Sequence, residues 1–261
     1  MTTLQRWQFV FGNLVQLVFT RLPVRRIFWV YLVIVHLLLA MLIHRSGLVP
    51  RLMARVTGSV VENTHLYDVL LPYHRRQDGS VPDGAIIFLG DSIVHALATS
   101  AIADKTINYG IGADTVGGLH ARIPIYKSLH SARAIALSIG VNDLWYRDHE
   151  AIAPGYDKLL ADLPSEVPVV VNALFPVDED LDFAVGTNSK IQQVNESLAR
   201  LVDRYPNVVF LDNRQQFIDG EGQLRSDYHI GDGLHLNTSG YRVWINRLRD
   251  TLAEVTDLQI N

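Results

Sequence analysis

Cysteine is absent from the 261 residues, which excludes disulfides but fits an oxidising compartment as well as the cytosol. Internal repeats and low-complexity tracts are also missing, which excludes solenoid and array architectures. Acidic residues are absent from the first 61 positions, where seven arginines stand alone: Arg6, Arg21, Arg25, Arg26, Arg45, Arg51 and Arg55. The N-terminal part therefore carries a formal charge of +7. The remainder, with 16 basic residues against 27 acidic ones, carries −11. This asymmetry divides the chain in two and gives no basis for a nucleic-acid partner. With 48% apolar residues, the acidic part is long enough for one good-sized core.

Charge is also missing from Ile27 to Ile43, IFWVYLVIVHLLLAMLI, which is framed by Arg25-Arg26 and His44-Arg45. At 1.5 Å per residue this run spans about 26 Å, enough to cross a bilayer once the flanking arginines snorkel. We read it as a retained transmembrane anchor, about 27–43. A cleavable signal peptide fits less well, because the run is long, begins late and is followed by HRSGLVPRLM rather than small residues. A buried core helix would show an amphipathic face, which this run lacks. His36 in its middle needs a partner or stays neutral. Arginines flank both ends, so the positive-inside rule discriminates little; the domain that follows is expected on the extracytoplasmic, periplasmic side. Upstream, residues 7–20 (WQFVFGNLVQLVFT) suit an interfacial helix, and residues 7–45 offer a docking surface for a membrane-protein partner.

Residues 46–84 read as a spacer with a helical stretch near Arg51–Leu71 and a turn-rich close, RRQDGSVPDG. From Ala85 onward, short β-branched runs alternate with helical patterns. Strands are expected at Ala85–Leu89, Thr106–Tyr109, Ala134–Ile139, Val167–Ala173 and Val208–Leu211. Helices are expected at Thr115–Leu129, Pro154–Leu163, Ser189–Arg204 and Ser239–Glu254, the last capped by Asn237 or Thr238. Strands apolar along their whole length belong to a parallel sheet covered on both faces, so residues 85–261 are predicted to form a three-layer α/β/α sandwich.

In such sheets ligands bind beyond the carboxyl ends of the strands. Four stretches fall there. Gly90-Asp91-Ser92 follows the first strand and places a serine at a helix start, where it is either a cap or a group facing the cleft. Asn108 to Thr115, NYGIGADT, is a glycine turn able to cradle an anion. A dinucleotide site would want an acid about 20 residues further on, and none lies between Asp114 and Asp143. Gly140-Val141-Asn142-Asp143 sets a side-chain amide at the same edge. Gly231-Asp232-Gly233-Leu234-His235 sets a carboxylate and an imidazole three positions apart, the orienter and base that a weak serine nucleophile requires. His229, Asp232 and His235 would be the candidate ligands of a metal, but no further cluster supports one.

Taken in order, GDS, the glycine turn, GVND and DGLH resemble the blocks of the SGNH (GDSL) hydrolase superfamily, over Ala85 to about Glu254. The resemblance implies a flavodoxin-like sheet of five parallel strands, no cofactor and no metal. It implies Ser92 as nucleophile, His235 as general base and acid, and Asp232 as its partner. It also implies an oxyanion hole from the Ser92 N–H, the Ala113 N–H and the Asn142 side chain, with Gly112 as the fallback to Ala113. Many relatives carry glycine where Ala113 stands, and a positive φ would be costly there. The implied activity is ester hydrolysis through an acyl-enzyme, on a lipid or envelope glycan. An acyltransferase, or a non-catalytic accessory subunit of a polysaccharide-modifying membrane complex, stands beside it.

Overall fold

The computed structural model describes residues 24–45, 65–181 and 184–256. The interfacial segment 7–20, and residues 51–64 of the stretch expected to be helical, lie outside them. The chain divides into two compact units, residues 1–57 and 58–261. Of the first, helix α1 (Val24–Arg45) is described. Its apolar window, Arg25–Ile43, has a mean hydropathy of 2.3 and is nowhere buried. Within it, His36 Nδ1 lies 2.7 Å from the Leu32 carbonyl one turn back, which gives the ring the local partner it needs.

The second unit is built on five strands: β1 (Ile86–Gly90), β2 (Thr106–Gly110), β3 (Ala134–Ser138), β4 (Val169–Asn172) and β5 (Val208–Leu211). Their spatial order is β2-β1-β3-β4-β5, and every neighbouring pair is parallel. Side-chain alternation explains why the runs read as uniformly apolar. Ile87, Leu89, Ile135, Leu137, Val169 and Val171 enter one core, whereas Ile86, Phe88, Ala134, Ala136 and Val170 enter the other. Helices α4 (Val116–Arg122), α5 (Ile152–Ala161) and α6 (Thr187–Val202) supply side chains to the first core. Helices α3 (Ser92–His95) and α7 (Thr238–Thr256) supply the second. The chain thus forms the three-layer α/β/α sandwich, with the strand order of flavodoxin-like sheets. Direction of winding changes between β1 and β3, so a crevice opens beyond their carboxyl ends.

Two differences from the sequence reading have physical causes. The helix expected over Thr115–Leu129 ends at Arg122 and continues as 3₁₀ turns, Ile123–Ile125 and Lys127–Ser131. Pro124 lacks the N–H that an α-helix needs at that point. The supposed spacer contains helix α2 (His65–Asp78), in which Tyr67, His74 and Asp78 are buried. Compact structure in the second unit therefore begins upstream of Ala85. At the other end, Asn237 Oδ1 accepts from the Ser239 and Gly240 N–H groups, so Asn237 caps α7.

Candidate active site

Ser92 opens α3, a single turn held from three sides. Asp91 caps it, its Oδ1 accepting from Ile93 N–H at 3.0 Å. Tyr241 of α7 donates its hydroxyl to the Ile93 carbonyl at 2.7 Å. Glycine permits the sheet to approach from below: a Cβ on Gly90 would stand 2.1 Å from the Ser138 carbonyl oxygen, and one on Gly110 2.3 Å from His95 N. No side chain fits at either place, which is why glycine ends both β1 and β2.

The loop before α7 carries the remaining polar groups. His235 Nε2 lies 2.9 Å from Ser92 Oγ, and His235 Nδ1 lies 2.6 Å from Asp232 Oδ2. With the ring protonated at Nδ1, Ser92 O–H donates to Nε2 and Nδ1–H donates to the carboxylate. Asp232 Oδ1 accepts from the Leu234 and His235 N–H groups at 3.1 and 2.9 Å. Burial favours the neutral acid, but the His235 bond and the two backbone donors outweigh it and hold the Asp232 carboxyl below the usual carboxylate range. It stays ionised at neutral pH.

His229, weighed from the sequence as a metal ligand, has another use. It is buried, and its Nδ1 accepts from both Gly231 and Gly233 N–H at 3.0 Å. Those glycines have φ of 99° and 69°, the left-handed region that glycine enters without cost. The buried imidazole pins the turn that presents Asp232 and His235. The sequence carries a signal for this, since His229 stands six residues before His235 across the turn, a spacing that also suits metal ligands. Among the described residues, no group of three His, Asp or Glu side chains is placed to hold a metal ion.

Ala113 and Asn142 follow β2 and β3, the two neighbours of β1 in the sheet. Asn142 Nδ2 donates to the Asp114 carbonyl at 2.9 Å, which brings the amide beside the Ala113 turn. Ala113 does take φ 62°, and it is the non-glycine residue with positive φ among those described. Below this turn lies a buried ion pair that sequence reading missed: Arg122 and Asp114, both 0% exposed in their side chains, meet at 2.9 Å. Arg122 also donates to the Gly90 carbonyl at 3.2 Å and to the Tyr109 carbonyl at 2.8 Å, tying together the ends of β1 and β2. Asp143 Oδ2 accepts the Val116 N–H at 3.0 Å and so anchors the start of α4 to the turn after β3.

The sequence matches the GDSL-like Lipase/Acylhydrolase family over residues 88–243. The chain belongs to that family. Similar curated proteins include the rat and mouse platelet-activating factor acetylhydrolase IB subunit alpha1, each 25% identical over 63% of this chain and 73% of its own. Among solved structures, a Streptococcus pneumonia protein whose name refers to platelet activating factor aligns with a TM-score of 0.65. It is 24% identical, covering 71% of this chain and 92% of that one. Axe2, an acetylxylan esterase from Geobacillus stearothermophilus, aligns with a TM-score of 0.54 and 15% identity, covering 65% and 95%. At those identities the two structures share the fold. Family membership carries the activity class, ester hydrolysis.

Proposed function

We propose that this GDSL hydrolase is a membrane-anchored serine esterase, and that the hydrogen-bonded line from Ser92 through His235 to Asp232 is its catalytic triad. Ser92 Oγ attacks the ester carbonyl as His235 Nε2 takes its proton, forming the acyl C–O bond. The same proton then passes to the departing alcohol oxygen. Water repeats the sequence on the acyl-enzyme and releases the acid. Asp232 holds the ring in its productive tautomer and stabilises the imidazolium. The Ser92 N–H, the Ala113 N–H and the Asn142 amide stabilise the oxyanion, the last held beside the turn by its bond to the Asp114 carbonyl.

Helix α1, within residues 1–45, serves as the anchor of a periplasmic-side domain, residues 46–64 as the link, and α2 together with residues 85–261 as the hydrolase. The names of the relatives, an acetylhydrolase and an acetylxylan esterase, favour a short acyl group on a lipid or an envelope glycan. Turnover of p-nitrophenyl acetate against longer p-nitrophenyl esters by the full chain in detergent tests both points. Hydrolysis of the acetyl ester that falls by roughly 10⁴-fold or more in Ser92→Ala is expected. Equal activity of that variant would refute the triad, and preference for long chains would refute the acyl assignment.

A further inference from the structure

Helix α2 lies outside the family match at residues 88–243, yet it is joined to the turn that carries the proposed oxyanion donor. A Cβ built on Gly112 would come 2.7 Å from Leu66 Cδ2, so α2 sits directly on that turn. The buried Tyr67 places its hydroxyl 3.4 Å from the Gly118 carbonyl of α4. Asp78, also buried, accepts from the Tyr109 and Ser128 hydroxyls at 3.1 and 2.5 Å.

The remaining link has a direction. The Arg122 guanidinium, a rigid fork of N–H donors, reaches four acceptors. Nε donates to Asp114 Oδ2, whose oxygen also pairs with Nη2 at 2.9 Å, and Nη2 donates to the Gly90 carbonyl. Nη1 donates to the Tyr109 carbonyl and, at 2.5 Å, to the Tyr126 hydroxyl oxygen. Because that oxygen accepts from Arg122, its own hydrogen points elsewhere, and His74 Nδ1 stands 3.0 Å away. In the tautomer with Nδ1 unprotonated, His74 accepts that hydrogen. Burial, followed by the charge of Arg122 and the neighbouring His95, lowers its pKa to about 4 and keeps the ring neutral. The His74 ring also contacts that of Tyr109, centroids 5.0 Å apart, and Tyr109 stacks on Tyr126 at 4.3 Å.

We propose that His74 is a positioning residue for the esterase: by accepting the Tyr126 hydroxyl it orients Arg122, which sets both the Gly110–Asp114 turn and the Gly90 carbonyl next to Ser92. This role rests on the oxyanion assignment made above. It makes α2, the first described helix after the anchor, a working part of the hydrolase.

Two substitutions in the full chain separate orientation from space-filling. His74→Phe keeps a ring against Tyr109 but has no acceptor. His74→Asn gives up the ring and restores an oxygen near the Nδ1 position. If the acceptor matters, His74→Phe lowers kcat on p-nitrophenyl acetate about tenfold with little change in KM, and His74→Asn retains more activity although it packs less well. Amide hydrogen exchange of residues 110–116 should quicken in His74→Phe and less so in His74→Asn. Wild-type kcat and exchange in His74→Phe, or a Phe variant that outperforms the Asn variant in both, would overturn the proposal. If the wild type shows no ester turnover, the esterase reading fails by itself, and the exchange comparison still decides whether His74 positions the turn.

Discussion

At Ala113 the backbone stands at φ 62°, where a Cβ costs about 1–2 kcal/mol. Ala113→Gly removes that strain but gives the unfolded chain more freedom, worth about 0.4–1 kcal/mol in the other direction. A net gain of about 0.5–1 kcal/mol is expected in urea unfolding, and a loss would mean that the turn is not strained. Asp91 is shifted in the opposite sense to Asp232. Burial, reinforced by Asp114 and Asp143 and opposed by the Ile93 N–H, pushes its carboxyl up to about 7. A carboxyl raised on folding contributes its full stability below the unfolded value of 3.8 and loses it as pH climbs through about 7. Asp91→Asn keeps an oxygen for Ile93 N–H and removes this dependence. Its advantage over wild type should therefore grow between pH 4 and 7, by up to about 1.4 kcal/mol per pH unit. Unfolding midpoints at pH 5 and pH 8 measure it, and an unchanging difference would contradict the assignment.

Among the elements, α2 is the one whose removal is most informative. A chain beginning at Gly58, where the second compact unit starts, retains the helix. A chain beginning at Ala85 loses Tyr67, His74 and Asp78 and leaves Tyr109, Tyr126 and Ser128 with buried hydroxyls short of partners. The shorter chain should be less stable by at least about 3 kcal/mol, read by urea unfolding; equal stability would return α2 to the status of spacer. The inner strands β1, β3 and β4 were legible because burial on both faces writes itself as nearly uninterrupted apolar residues, and the half-buried edge strands β2 and β5 were legible as short β-branched runs. Helix α2 was legible only in its first half, His65–Leu71, within the stretch expected to be helical; the rest was not, since Pro72 lies inside the helix and its later turns are held through His74 and Asp78 rather than an apolar stripe. The end of α4 escaped for a local reason, Pro124. Arg122 escaped because an arginine in an amphipathic stretch reads as solvated, and its acceptors include carbonyls of two separate strands that no sequence pattern brings together. The meeting of Ser92, Asp232 and His235 was legible because they fall just beyond a strand or in a glycine-rich loop, on the side of the sheet where ligands bind.

For the whole molecule, the division of charge into +7 and −11 coincides with the division into two units. Among the described residues, one helix is long and apolar enough to cross a membrane. If α1 spans the bilayer, the full chain remains with membranes through a wash at about 1 M salt, where screening acts within about 3 Å, and the chain beginning at Gly58 does not. Release of the full chain would leave surface attachment only. The proposed mechanism depends on the chemistry of one hydroxyl, and labelling with a fluorophosphonate probe examines it most directly. The wild type should take up one label, Ser92→Ala none, and His235→Ala should label far more slowly. An unlabelled wild type, or a Ser92→Ala variant labelled to the same extent, would contradict the central claim.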